Sequence, residues 1–169
     1  MSVPGRPHFD LVDHDGRPVT IDSYAGQYLL VFFGFTNCAM VCPRALARLT
    51  GVLDRLGRGA ELIRPLYITV DPERDTPAVM KEFLARTAPA FTGLTGTQER
   101  VDAAKEAFHV FARRKADPSA PDGYSMPHTA FTYAVDPRGA FAAHFGDAVP
   151  DVEVYESLHE LLTTAGSTG

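Results

Sequence analysis

A chain of 169 residues, 45% of them hydrophobic, can bury one good core, and a charged fraction of 22% excludes global disorder. Sixteen Lys and Arg stand against 21 Asp and Glu, a net charge of −5 with no basic cluster, which argues against a nucleic-acid surface. Two cysteines are too few for a disulfide scaffold. The longest apolar run, Tyr28 to Phe35, falls far short of the ~20 residues a membrane span needs. The first 27 residues carry Arg6, Asp10, Asp13, Asp15, Arg17 and Asp22 and no apolar stretch of signal-peptide length. As written, the chain is expected to be soluble and without membrane contact. It works in the cytoplasm, or an N-terminal anchor has been taken off it.

Phe9 to Thr20 alternates loosely around Asp13-His14-Asp15-Gly16, and an Asp-Gly pair between short apolar runs predicts a hairpin. Tyr28-Leu29-Leu30-Val31-Phe32-Phe33 is near-continuous, the pattern of a central strand buried on both faces, and Gly34 ends it. Pro43 suits the first turn of a helix. Leu46, Leu49, Thr50, Leu53 and Leu56 then recur at helical spacing until Gly57 and Gly59 stop the pattern. Leu62 to Val70 is a second strand. Asp71-Pro72-Glu73-Arg74-Asp75 turns the chain, and Thr76-Pro77 caps a helix carrying Val79, Met80, Phe83 and Leu84. Phe91 to Leu94 is a short apolar piece, and Thr95-Gly96-Thr97 opens a helix through Val101, Ala104, Phe108 and Val110. Residues 113–127 read as an exposed loop. Thr129 to Val135 and Ala140 to Phe145 predict a second hairpin about Asp136-Pro137-Arg138-Gly139, and Val154, Leu158, Leu161 and Leu162 a closing helix, frayed from Gly166. With no repeat and no long linker, residues 1–169 are expected to form one domain with its core at about residues 9–162.

A parallel βαβ unit lies at the heart of this order, with a cysteine pair at the top of its first strand. That is a thioredoxin-like α/β layout: a central mixed sheet with flanking helices, an N-terminal hairpin, and a C-terminal hairpin plus helix.

Cys38 and Cys42 are four apart, and residues so spaced on a helix have Cβ atoms roughly 5–6 Å from one another. Both sulfurs can close on one soft metal ion, or on each other after a small backbone adjustment. The plain alternative is two buried small hydrophobes. At a strand-to-helix junction, exposed amides and the helix dipole favour a thiolate. A two-sulfur metal site is incomplete, so a third ligand is sought. His8 and His14 read as solvated, and His109 on a helix, His144 in a strand and His159 on the last helix read as structural. His128 stands apart, after Met126-Pro127 and just before Thr129-Ala130-Phe131-Thr132-Tyr133. Asp71, Arg74 and Asp75 read either as a charged turn capping a helix or as groups near the cysteines, because loops after neighbouring parallel strands share a crevice. Met40 and Met126 read as gap-fillers, with an axial ligand as the sharper alternative.

Several motifs in order bear on the choice. They are Phe33-Gly34-Phe35-Thr36-Asn37-Cys38-Ala39-Met40-Val41-Cys42-Pro43, Thr69-Val70-Asp71-Pro72-Glu73-Arg74-Asp75-Thr76-Pro77, Gly93-Leu94-Thr95-Gly96-Thr97, Tyr124 to Thr129, and Val135-Asp136-Pro137-Arg138-Gly139. On these, from about Phe9 to Leu162, the chain resembles the SCO/SenC family of copper-binding thioredoxin-like proteins. The resemblance implies one copper ion per chain, Cu(I) or Cu(II), on Cys38, Cys42 and His128. It implies a metallochaperone that delivers copper to the dinuclear copper site of cytochrome c oxidase, or matures the thiols of that site. The implied partner is the copper-bearing oxidase subunit or another copper or thiol protein, met by a monomer in an extracytoplasmic, periplasmic or membrane-facing place. Two positions depart from the family pattern. Ala39-Met40 stands where a Pro-Asp or similar polar pair is usual, and Pro127-His128-Thr129 where Asp-His-Ser is usual. The second removes an acidic neighbour that would orient the ligand and tune the metal.

An enzyme is the other class. Cys38 and Cys42 could be the redox pair of a thiol–disulfide oxidoreductase or, more remotely, of a peroxide reductase. A dithiol reductase usually spaces its cysteines by two and has no need of His128. A peroxidase needs a lone activated thiolate beside Arg and Thr, which Pro43 and Arg44 do not supply.

Overall fold

The structure is a computed structural model and describes residues 7–34, 41–110, 115–116, 124–125, 131–146 and 149–167. In chain order these form β1 (Asp10–Asp13), β2 (Pro18–Thr20), β3 (Tyr28–Gly34), α1 (Val41–Leu56), β4 (Ile63–Thr69), α2 (Pro77–Thr87) and β5 (Thr92–Thr95). They continue with α3 (Gln98–Ala107), β6 (Lys115–Ala116), β7 (Tyr124–Ser125), β8 (Phe131–Val135), β9 (Phe141–Gly146) and α4 (Asp151–Ser167). Seven strands make one sheet in the order β2-β1-β5-β4-β3-β8-β9. β3 pairs parallel with β4 and β4 with β5, while β1, β8 and β9 join antiparallel.

Local chemistry sets the boundaries. The Asp13 carboxylate accepts the N–H groups of Asp15 and Arg17 at 2.9 and 3.0 Å and so turns the first hairpin. Gly57, at φ +56°, takes the left-handed position after α1. The Thr76 hydroxyl accepts from Val79 N–H with Pro77 at the first helical position, and the Thr97 hydroxyl caps α3 by accepting from Arg100 N–H at 3.2 Å. Each such cap contributes about 1 kcal/mol.

Side-chain alternation along β3 divides the core in two. Leu30 and Phe32 join Tyr67, the α1 residues Ala45, Leu46, Leu49, Val52 and Leu53, and parts of α2 and α4 on one face. Leu29, Val31 and Phe33 join Leu66, Ile68, Leu94 and the α3 residues Val101 and Ala104 on the other. Phe33 is fully buried, its ring centroid 5.3 Å from Phe108 and 6.3 Å from Tyr133.

Three local expectations are corrected. Within residues 113–127, β6 and β7 pair as a two-stranded antiparallel ribbon, where a loop was expected. α3 ends at Ala107, and His109 lies beyond it at φ +59°, so His109 is not helical. α4 continues through Ser167. Among the described residues no helix is long and apolar enough to cross a membrane.

Gly93 lies where β5 and α2 approach closely. A Cβ there would meet Leu84 Cδ1 at 3.0 Å and Met80 Cβ at 3.1 Å. Gly93→Ala is expected to destabilise the protein by about 1–3 kcal/mol, since overpacking pushes neighbours off their rotamers. Urea unfolding followed by circular dichroism checks it. A midpoint equal to wild type would show that α2 moves aside freely.

Candidate functional site

Parallel pairing puts Gly34, Thr69 and Thr95, the last residues of β3, β4 and β5, along one edge of the sheet. The Gly34 carbonyl accepts Val70 N–H at 2.8 Å, extending the β3–β4 ladder past its last pair, Gly34↔Thr69. β8 runs antiparallel to β3 with Phe32 opposite Thr132, so its first residue comes to the same edge. Crevices outside the carboxyl ends of parallel strands are the usual ligand sites of such sheets.

Each candidate ligand belongs by sequence to a segment that starts or ends here. Cys38 follows Gly34 by four residues and His128 precedes Phe131 by three. Cys38 and His128 lie outside the described residues, as do Met40 and Met126. Cys42 is placed by its backbone as the second residue of α1. It stands three and four residues before Ala45 and Leu46, which with Leu49, Val52 and Leu53 form the buried stripe of α1.

Polar groups are packed into the same edge. The Thr69 hydroxyl donates to Asp75 Oδ2 at 2.7 Å and accepts from Asp71 N–H at 2.9 Å. The Thr95 hydroxyl donates to the Asp75 carbonyl at 2.7 Å. Arg74 Nε is paired with Asp71 Oδ2. Thr69 and Asp75 are 0% exposed and Asp71 3%. The turn after β4 is thus a polar network buried at the end of the sheet, more than a charged surface turn. The sequence reading weighed Asp71, Arg74 and Asp75 but passed over Thr69 and Thr95. Their one signal is a hydroxyl ending each of two apolar strand runs.

The histidines sort differently from expectation. His14 is not simply solvated, because its Nδ1 accepts Gly93 N–H at 3.1 Å and ties the first hairpin to β5. His8 and His109 are exposed. His144 is exposed on β9, and His159, on α4, stacks on Tyr155 with centroids 5.7 Å apart. Among the described residues no three His, Cys, Asp or Glu side chains gather as a metal site. Burial pushes the hydroxyl of Tyr133, the tyrosine in register with Val31, up to about 12.

The SCO1/SenC family model matches residues 3–163. Over 138 residues the chain is 38% identical to the SCO2-like protein of Rickettsia felis, covering 81% of this chain and 67% of that one. Over 152 residues it is 36% identical to the mitochondrial SCO1 homologue of Homo sapiens, covering 89% of this chain and 50% of that one. The chain therefore spans about two thirds of the first relative and half of the second. The structure of Bradyrhizobium japonicum ScoI with copper bound is similar at a TM-score of 0.81 and 35% identity, over 92% of this chain and 98% of that one. The likeness takes in the sheet and its helices together, and the fold is thioredoxin-like.

Proposed function

This chain belongs to the SCO1/SenC family, and on that premise we propose that it is a copper-binding metallochaperone whose ligands are Cys38, Cys42 and His128. The observation that carries the proposal is the convergence of β3, α1 and β8 on one sheet edge. A chain spans at most about 3.6 Å per residue, so Cys38 lies within about 14 Å of Gly34 and His128 within about 11 Å of Phe131. Gly34 and Phe131 belong to neighbouring strands, so both ligands can reach a common point above α1. Two thiolates and one imidazole form a soft to borderline donor set that fits copper. The copper-bound relative at 35% identity supports the same reading.

On this proposal copper is cargo. The thiolates hold Cu(I) and the imidazole adds affinity for Cu(II), so one site can carry either ion. The acceptor is the copper-bearing subunit of cytochrome c oxidase or another copper or thiol protein. The protein works outside the cytoplasm as a monomer, with residues 9–162 as its one domain. A second reading is favoured by the cysteine pair itself. A dithiol at a helix start can pass electrons to a disulfide without any metal.

Anaerobic copper titration of reduced and oxidised protein, beside a disulfide-reduction assay, tests the choice. Reduced protein is expected to take up one copper per chain. Oxidised protein, lighter by two hydrogens on a mass spectrum, is expected to take up none, since ligation needs free thiolates. His128→Ala should weaken Cu(II) more than Cu(I) and leave disulfide reduction within a few-fold of wild type. Stoichiometric copper on the oxidised protein would sink the shared site. Fast disulfide reduction with copper held no tighter than micromolar would make the oxidoreductase reading primary.

A further inference from the structure

Little main chain joins the first hairpin to the rest of the sheet. β1 pairs with β5 over two positions, Val12 opposite Thr95 and Asp13 opposite Leu94. The next step of that ladder sets His14 against Gly93, and there a side chain takes over from the backbone. Nδ1 of His14 accepts the Gly93 N–H at 3.1 Å. The His14 side chain is 20% exposed and Gly93 is buried. The other ring nitrogen, Nε2, stands 4.0 Å from Oδ2 of Asp15, whose Oδ1 accepts from Lys81 Nζ on α2 at 2.8 Å. The hairpin tip, β5 and α2 therefore meet in one joint, with His14 at its centre.

A nitrogen that accepts a hydrogen bond keeps its lone pair, so the ring in this joint is neutral and carries its proton on Nε2, the nitrogen next to Asp15. Protonation alters both contacts at once. An imidazolium has an N–H at either nitrogen and accepts nothing, so Nδ1–H would meet the Gly93 N–H donor to donor. A buried N–H without a partner costs about as much as a lost hydrogen bond. On the other side the cation gains Asp15 as a counter-charge. The charged groups around the joint are Asp13, Asp15 and Arg17 on the hairpin and Lys81 on α2, while Thr92, Gly93 and Leu94 of β5 carry no charge. The Asp13 carboxylate is taken up by the hairpin's own amides. The hydrogen bond from Lys81 holds the Asp15 carboxyl below the usual carboxylate range, so Asp15 is ionised wherever imidazoles change charge.

We propose that His14 is a proton-operated clasp. The neutral ring ties the tip of the first hairpin to β5, and the protonated ring lets go of Gly93 and turns to Asp15. Imidazoles change charge between about pH 5 and 8, so the bond to Gly93 is present at the upper end and lost as pH falls. Release is confined to the tip, since Phe9, Leu11 and Val19 of the same hairpin region are held in the core. The clasp is independent of copper.

Nuclear magnetic resonance of isotope-labelled wild-type protein tests it through the His14 ring nitrogens and the exchange of the Gly93 amide. At about pH 8 the ring is expected to be the Nε2–H tautomer and Gly93 to be protected. On going to about pH 5, the Gly93 protection factor, taken against an unstructured chain at the same pH, is expected to fall by about tenfold, the worth of one net hydrogen bond. Amides of the β3–β4 ladder should hold theirs. His14→Asn puts a carbonyl oxygen that does not titrate in the place of Nδ1, so Gly93 should stay protected at both ends of the range. His14→Ala should leave Gly93 open to exchange at both. Equal wild-type protection at the two ends, or an Nδ1–H tautomer at the upper one, would overturn the clasp. So would loss of Gly93 protection on acidification in His14→Asn as large as in wild type. The wild-type tautomer and protection decide the matter even where a variant does not fold.

Discussion

Cys38→Ser/Cys42→Ser protein is expected to lose copper altogether at concentrations that saturate wild type. A serine hydroxyl is a hard donor that stays protonated in neutral water, so the exchange leaves His128 as the one soft-to-borderline ligand of the set. Structural Zn2+ in zinc-finger peptides, held by comparable thiolate and imidazole donors, binds with about 10–16 kcal/mol, and about 1.4 kcal/mol is a factor of ten. A drop of about a thousandfold or more in Cu(I) affinity is therefore a conservative expectation. Competition against a Cu(I) chelator reads it directly, with circular dichroism to show the fold unchanged. Serine is close to cysteine in volume, so stability should move little. A double variant that still held Cu(I) within tenfold of wild type would place the metal away from the cysteine pair.

Phe33→Ala is expected to bring the largest loss of stability. The ring is 0% exposed on the central strand and sits among Phe108 and Tyr133 on the α3 face. Deleting it forfeits the transfer energy of the ring and leaves a cavity that neighbours on a seven-stranded sheet cannot collapse into. A cost of about 3–5 kcal/mol is the usual range for such a truncation. That is a large share of the about 5–15 kcal/mol that holds a domain of this size. Urea unfolding gives the number, and an unchanged slope would assign the shift to the native state. A loss below about 1 kcal/mol would mean that the aromatic cluster repacks, contrary to the close-packed interior described above.

Much of this molecule could be read from its residues, for reasons that differ by element. β3 was legible because a strand buried on both faces must be apolar at every position, and Tyr28 to Phe33 is. The first hairpin and the helix starts at Thr76 and Thr97 were legible because turn and cap chemistry is local. The β6–β7 ribbon was not, since two residues per strand carry no period to detect. His109 was read as helical because its neighbours Val110 and Phe108 prolong an apolar rhythm that the backbone does not follow. His14 was read as solvated because its partner, Gly93, is 79 residues away and no local pattern announces it. The Thr69–Asp75–Thr95 network escaped for a related reason, as its three members come from a strand, a turn and a second strand. Cys38 and His128 were singled out by spacing, loop position and family resemblance, and they lie outside the described residues. Their joint role therefore stays with the copper titration.

The two flanks of the sheet differ in what they could offer a passing chain. β2 is three residues long and begins with Pro18, which has no N–H to give, so that flank is a poor template for an added strand. β9 is six residues long, yet its pairing slips: Ala134 faces Ala143 while Val135 faces Phe141, so Ala142 is left over as a bulge. A bulge bends an outer strand and steepens its twist, which spoils the straight row of donors and acceptors that fibril growth requires. Both flanks of the sheet therefore resist strand addition from another chain.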